Sequence, residues 1–93
     1  MDETYDPTTL RVNITQCDRN IGIIQGALTN ELNQKAVLQA YLSKADPSVG
    51  DHDAIRRDIT RLDESIQVFQ DEITSELNRK AELQEFLRTA EQE

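Results

Sequence analysis

The sequence has few of the residues that β-proteins use. It contains no tryptophan, two tyrosines, two phenylalanines, three glycines and two prolines in 93 residues. The turns between β-strands need glycine and proline, and the strands favour aromatic side chains. Leucine, isoleucine, alanine, glutamate, glutamine, lysine and arginine, which favour helices, are abundant instead. The composition therefore predicts a small all-α protein.

Signals for export and for a membrane are also missing. Cys17 is the one cysteine, so no intrachain disulfide can form. No apolar run approaches the roughly 20 residues that cross a bilayer. The first ten residues, MDETYDPTTL, do not have the basic and then apolar pattern of a signal peptide. We therefore expect a cytoplasmic protein with no membrane partner.

The sequence has fewer basic residues than acidic ones. Eighteen acidic residues against ten basic ones give a formal net charge of −8. At long range this charge repels nucleic acids and anionic membranes. We therefore do not expect a nucleic acid partner, whereas a basic protein surface remains a possible partner.

Residues in a catalytic arrangement are absent as well. The single histidine, His52, lies between Asp51 and Asp53. This group could bind a metal weakly, but aspartates at a helix start are better explained by the helix dipole. Cys17 falls at an apolar position of the pattern described below and is interpreted as a small core residue. We expect that the protein is not an enzyme and that it binds no cofactor and no metal.

The sequence does contain an internal repeat. A shift of 45 residues matches the chain to itself without a gap, and ELNQKA at residues 31–36 returns as ELNRKA at residues 76–81. Between residues 14 and 45, fifteen residues are identical to their counterparts 45 positions later, too many for shared helical composition alone. We interpret the pattern as a tandem duplication.

The ends of the repeats predict two helices. Asp6-Pro7 is a favourable helix start, Tyr5 and Leu10 suit a hydrophobic staple, and Asp51 is the repeated cap. The predicted elements are helix 1 at 6–45, a turn at 46–50 and helix 2 at 51–91. A connection this short predicts an antiparallel hairpin, in a single domain.

A heptad repeat with two polar interruptions runs through both helices. With Ile14 at position a, the a and d positions are apolar in both copies except at two Glu–Lys pairs. These pairs are Glu31 with Lys35 and Glu76 with Lys80. Leu32 and Leu77, at position e, predict that the apolar stripe bends around the charges. All four pairs at e are identical between the copies, and none at c or g is.

The turn position gives an estimate of the register. Residue i should lie level with about residue 97 minus i of the other helix. Lys35 then lies near Asp63, and Lys80 lies near Asp18. Our hypothesis is that each lysine pairs with the aspartate of the opposite helix and fixes the register. The alternative is that the lysine stems cover the apolar edge and their ends extend into water.

Helix 1 has a second apolar surface that helix 2 does not repeat. Apolar and small residues off the seam form this helix 1 surface: Gly22, Ile23, Gly26, Ala27, Val37 and Tyr41. Two glycines inside a helix cost roughly 1 kcal/mol each, which close approach of another helix would explain. We expect this surface to form the core of a homodimer, an antiparallel four-helix bundle.

The sequence leaves three functions open. The first is a protein–protein interaction module, such as a small adaptor, assembly factor or chaperone-like hairpin. The second is an acidic inhibitor that occupies a basic or nucleic-acid-binding surface of a target protein. In architecture the hairpin resembles small dimeric hairpins of the Rop type, and this resemblance implies the third, an RNA-binding hairpin dimer. The net charge favours the first two over the third.

Overall fold

The chain forms two long helices. The computed structural model describes residues 6–44 and 52–92. Helix α1 is Pro7–Lys44, with 38 residues, and helix α2 is His52–Gln92, with 41 residues. The predicted turn at 46–50, the cap at Asp51 and the staple residue Tyr5 lie outside the described residues.

Helix α1 begins where the sequence places a cap. The backbone N–H of Thr9 donates a hydrogen bond of 3.4 Å to Oδ2 of Asp6, and the N–H of Leu10 donates to the Asp6 carbonyl at 2.9 Å. Pro7 has no N–H to satisfy in the first turn, where helical donors lack partners. Leu10, in this first turn, is fully buried.

The two helices pack antiparallel along their length. Arg11, near the start of α1, forms an ion pair with Glu91, near the end of α2, and Lys35 pairs with Asp63. The molecule is a rod with principal extents of 70 × 15 × 14 Å. The prediction of an all-α hairpin is confirmed. None of the described helical segments is both long and apolar enough to cross a bilayer.

The seam between the helices follows the heptad. From Ile14 to Leu42 and from Ile59 to Ala90, every a and d residue is buried or half-buried. Among the described residues four side chains are buried, Leu10, Cys17, Ile21 and Ile66, and of these Leu10 and Cys17 are fully buried. Two helices cover only one stripe of each other, so most seam residues keep one edge exposed.

The seam does not bend around the charged pairs, and that prediction is wrong. Glu31, Lys35, Glu76 and Lys80 are half-buried at their a and d positions. Leu32 and Leu77 remain 45% and 50% exposed. The aliphatic stems of Glu and Lys can line an apolar contact while their charged ends reach its edge. The heptad geometry therefore continues through the polar positions.

Candidate interaction surfaces

The lysines of the repeated motif cross the seam. Lys35 Nζ lies 2.5 Å from Oδ1 of Asp63, and Lys80 Nζ lies 2.6 Å from Oδ1 of Asp18. Each lysine side chain is 27% exposed, whereas the two aspartates are about half exposed. These are the pairings that the register estimate gives. The lysines end at a carboxylate of the opposite helix, and not in open water.

The two ion pairs also show that the hairpin has an approximate two-fold axis. In each pair the residue numbers add up to 98, close to the 97 estimated from the turn. The partners exchange helices: the lysine is on α1 in one pair and on α2 in the other. The nearly equal distances and exposures make the two halves of the rod equivalent at these positions. The axis passes near Gln25 and Gln70, midway between the pairs.

The glutamates of the motif are not equivalent in their surroundings. Oε2 of Glu76 is excluded from solvent and has no hydrogen-bond partner. Glu76 approaches Cys17, whose counterpart in the second repeat is Leu62. Burial, and then the nearby Glu76 carboxylate, raise the pKa of the Cys17 thiol. Cys17 is 1% exposed, so it is a small core residue and is poorly suited to act as a nucleophile.

The glycines of helix α1 are not required by packing within the chain. Gly22 and Gly26 are exposed, and a Cβ atom added to either would meet nothing within 4 Å. Each glycine lowers helix stability relative to alanine by roughly 1 kcal/mol in an exposed position. Contacts inside the hairpin therefore give no reason for the two glycines.

The apolar residues of the helix 1 surface are mostly exposed in the hairpin. Ile23 is 68% exposed, Val37 is 67% exposed and Tyr41 is 53% exposed, whereas Ala27 is half-buried. They occupy heptad positions c and g. In an antiparallel pair the g positions of both helices flank the same side of the seam. These four side chains therefore share one side of the rod.

Helix α2 adds two residues that the sequence comparison missed. Val68 at position c is 53% exposed, and Phe86 at position g is 42% exposed. A shallow groove beside Val68 is lined by Ile24 of α1 and by Glu72 and Ser75 of α2, which places Val68 on this side of the seam. We define the apolar face by the members of this combined set: Ile23, Ala27, Val37, Tyr41, Val68 and Phe86. Val68 and Phe86 could have been found from the sequence, because they are apolar residues at the same c and g positions in the second repeat.

The opposite side of the rod has a different character. It is formed by the e positions, where the two repeats are identical. We define the duplicated face by its exposed e residues: Gln25, Leu32, Gln39, Gln70, Leu77 and Gln84. The two lysine–aspartate pairs lie on this side, because both aspartates are at position e. The duplicated face is therefore mostly amide and leucine between neutralised charges.

The net charge is unevenly divided between the helices. Helix α2 contains ten carboxylates against six arginines and lysines, whereas α1 contains two carboxylates against four. Several α2 carboxylates have local partners: Asp53 lies 3.3 Å from Arg56, Asp58 lies 3.7 Å from Arg61, and Glu85 pairs with Arg88. The hydrogen bond from Arg88 lowers the pKa of Glu85. The acidic surface of the hairpin is thus mainly on α2.

Metal binding has no support within residues 6–44 and 52–92. No group of three His, Cys, Asp or Glu side chains there is placed to hold a metal ion. Asp51, beside His52 in the sequence, lies outside these ranges.

Comparison with known proteins places the chain in no group. No family model, no curated protein and no solved structure matches it significantly.

Proposed function

We propose that the hairpin is a non-enzymatic protein–protein interaction module that acts in the cytoplasm as a homodimer. The observation that supports this most is the apolar face. Ile23, Val37 and Tyr41 lie on one side of a rod whose own core does not use them. Large apolar groups gathered on one side of a charged molecule are typical of a contact surface.

The small core of the hairpin supports dimerisation. Four apolar side chains are buried among the described residues, and a two-helix structure of this size is marginal on its own. A second hairpin against the apolar face would cover it and close an antiparallel four-helix bundle. A two-fold axis would make that contact the same patch on both copies.

The glycines lie outside the apolar face. Gly22 and Gly26 are close to the middle of the rod at heptad positions b and f, on the outer side of α1, whereas the apolar face is made of c and g positions. Nothing in the described part of the chain approaches them. A partner on the apolar face therefore does not by itself explain the helix stability that the glycines cost.

The uneven charge favours a second candidate, an acidic inhibitor that binds a basic surface of a target protein. Helix α2 would make that contact through its carboxylates. Attraction of this kind is screened by salt, so binding would weaken steeply between low and physiological ionic strength. Binding through the apolar face would change little over the same range.

The experiment is affinity capture from the source cell at both ionic strengths, with the wild type and Ile23→Glu side by side. An interaction module that acts as a homodimer predicts a protein partner that is retained at physiological salt and lost with Ile23→Glu, because that substitution breaks the dimer. A partner lost with salt and indifferent to Ile23→Glu would indicate the inhibitor. A partner removed by ribonuclease would indicate RNA, and would contradict both.

A further inference from the structure

The repeated motif differs between the copies on one side only. Residues 31–39 and 76–84 align as ELNQKAVLQ and ELNRKAELQ, with seven identities in nine positions. The two differences are Gln34 against Arg79 and Val37 against Glu82. They fall at positions g and c, on the side of the apolar face. Every position of the motif that faces the seam or the duplicated face is the same in both copies.

Packing within the chain accounts for only part of this identity. Glu31, Lys35 and Leu38 are half-buried in the seam, as are their counterparts. Leu32 and Leu77 are not: they are 45% and 50% exposed. Gln25 and Gln39 are exposed too, as are Gln70 and Gln84. The c and g positions on the side of the apolar face differ between the copies, although most of them are exposed too. A contact outside the hairpin would explain why the exposed e positions of the duplicated face are identical.

The symmetry of the duplicated face limits what can bind it. Two residues that lie side by side on the two helices have numbers that add up to about 98. Leu77 therefore lies beside residue 21, and its distance from Leu32 along the rod is about 16 Å. The axis between Gln25 and Gln70 exchanges these two leucines. A single partner helix has a direction and would fit such a face equally well either way round. A second copy presents the same symmetric face and meets leucine with leucine.

Charge also suits a second copy. Between the pairs Lys80–Asp18 and Lys35–Asp63, the e positions hold glutamine and leucine and no charged residue. Two molecules of net charge −8 therefore meet least repulsion here. The residues of the duplicated face span about 38 Å of the rod at 1.5 Å per residue, so over a width of 15 Å the face offers on the order of 600 Å² per copy. Contacts of this size are at the weak, transient end of protein interfaces, so the pairing should depend on concentration.

We infer that the duplicated face is a second self-association surface, occupied by the duplicated face of another copy. It lies on the opposite side of the rod from the apolar face. Dimers formed through the apolar face would then pair into tetramers. The inference does not rest on the proposed dimer, because two hairpins can join through the duplicated face alone.

The test is light scattering coupled to size exclusion over a range of concentrations. We expect the wild type to reach a tetramer, and Leu32→Glu and Leu77→Glu each to stop at a dimer. A buried unpaired charge should weaken the contact by about a hundredfold or more. Ala40→Glu is the matched control, because Glu85 is its natural counterpart in α2. It should assemble as the wild type does. Circular dichroism checks the fold of each variant.

The outcomes separate the two contacts. If the wild type is only a dimer and Leu32→Glu and Leu77→Glu dissociate it, the duplicated face is supported and the apolar-face dimer fails. If that dimer responds to Ile23→Glu and not to the leucine variants, the inference is overturned and the proposed dimer stands. A tetramer that both leucine variants leave unchanged overturns the inference as well. A monomeric wild type contradicts both contacts.

Discussion

At the scale of single residues, the lysines explain how charge is tolerated in a narrow seam. Lys35 and Lys80 place their stems beside apolar residues and their ammonium groups against Asp63 and Asp18. The aspartates are half exposed, so water screens each pair and its net stabilisation is small. What the pairs contribute is specificity, because a slip of one heptad would leave each ammonium group without its carboxylate.

A double-mutant cycle measures this contribution. Lys35→Met and Asp63→Asn, alone and together, should give a coupling energy of about 0.5–1 kcal/mol in urea unfolding. Lys80→Met with Asp18→Asn should give the same value, because the two sites are equivalent by the internal symmetry. Two clearly different coupling energies would contradict that equivalence.

The cysteine gives a second test at this scale. Burial raises the pKa of Cys17, so less thiolate is present at neutral pH than for a free cysteine. We expect labelling by a thiol reagent at neutral pH to be slower by at least about tenfold in the folded protein than in urea. Equal rates in the two conditions would show that the seam opens at Cys17 or that the thiol is exposed.

At the scale of the helices, the heptad was readable because a core stripe leaves a strict period in the sequence. The positions from Ile14 to Leu42 and from Ile59 to Ala90 follow it. The period does not tell which residues at the edge of the stripe are covered. Leu32 and Leu77 were assigned to the seam because they are apolar, yet only a and d residues can face a single partner helix.

The apolar face is a second case in which the sequence pattern did not predict the exposure of a side chain. The sequence pattern indicated a second apolar surface on helix 1 alone and did not include Val68, although Val68 lies on the same side of the rod as Ile23. Exposure depends on where both helices point once they are paired. A comparison of the two copies, position by position, does not contain that information.

Replacing the half-buried glutamates tests the role of the polar positions. Glu31→Leu together with Glu76→Leu removes two half-buried carboxylates, one with an oxygen that has no partner. We expect the unfolding free energy in urea to rise by about 1–2 kcal/mol. The register should loosen at the same time, because fewer polar positions then oppose a shifted seam.

The register can be followed by distances between two spin labels. Gln16 and Glu82 are exposed and lie at one height, so labels there, in a Cys17→Ser background, report a slip directly. The parent should give one narrow distance and the leucine variant a broader or second one. A variant that is more stable and equally well ordered would mean that the apolar seam alone sets the register.

At the scale of the whole molecule, the sequence predicts the hairpin well, whereas the assembly that it suggests stays a prediction. The repeat, the cap at Asp6 and the heptad all indicate the same two helices, and local signals that agree specify a fold. An assembly depends on exposed surfaces, and these leave no signal in the sequence as strict as a helix cap or a heptad repeat. The sequence pattern already indicated most members of the apolar face and the identical e positions, but their exposure in the folded rod could be read only from the structure.

The central claim is that the apolar face joins two copies, and sedimentation velocity at tens of micromolar tests it most directly. The wild type should sediment as a dimer or larger, and Ile23→Glu or Val37→Glu should lower its mass by half or more, because each buries an unpaired charge. Val68→Glu should also weaken the contact. Val12→Glu is the matched control, since Val12 is 62% exposed but outside this face, and it should behave as the wild type. A monomeric wild type, or an assembly indifferent to both helix 1 substitutions, would contradict the account.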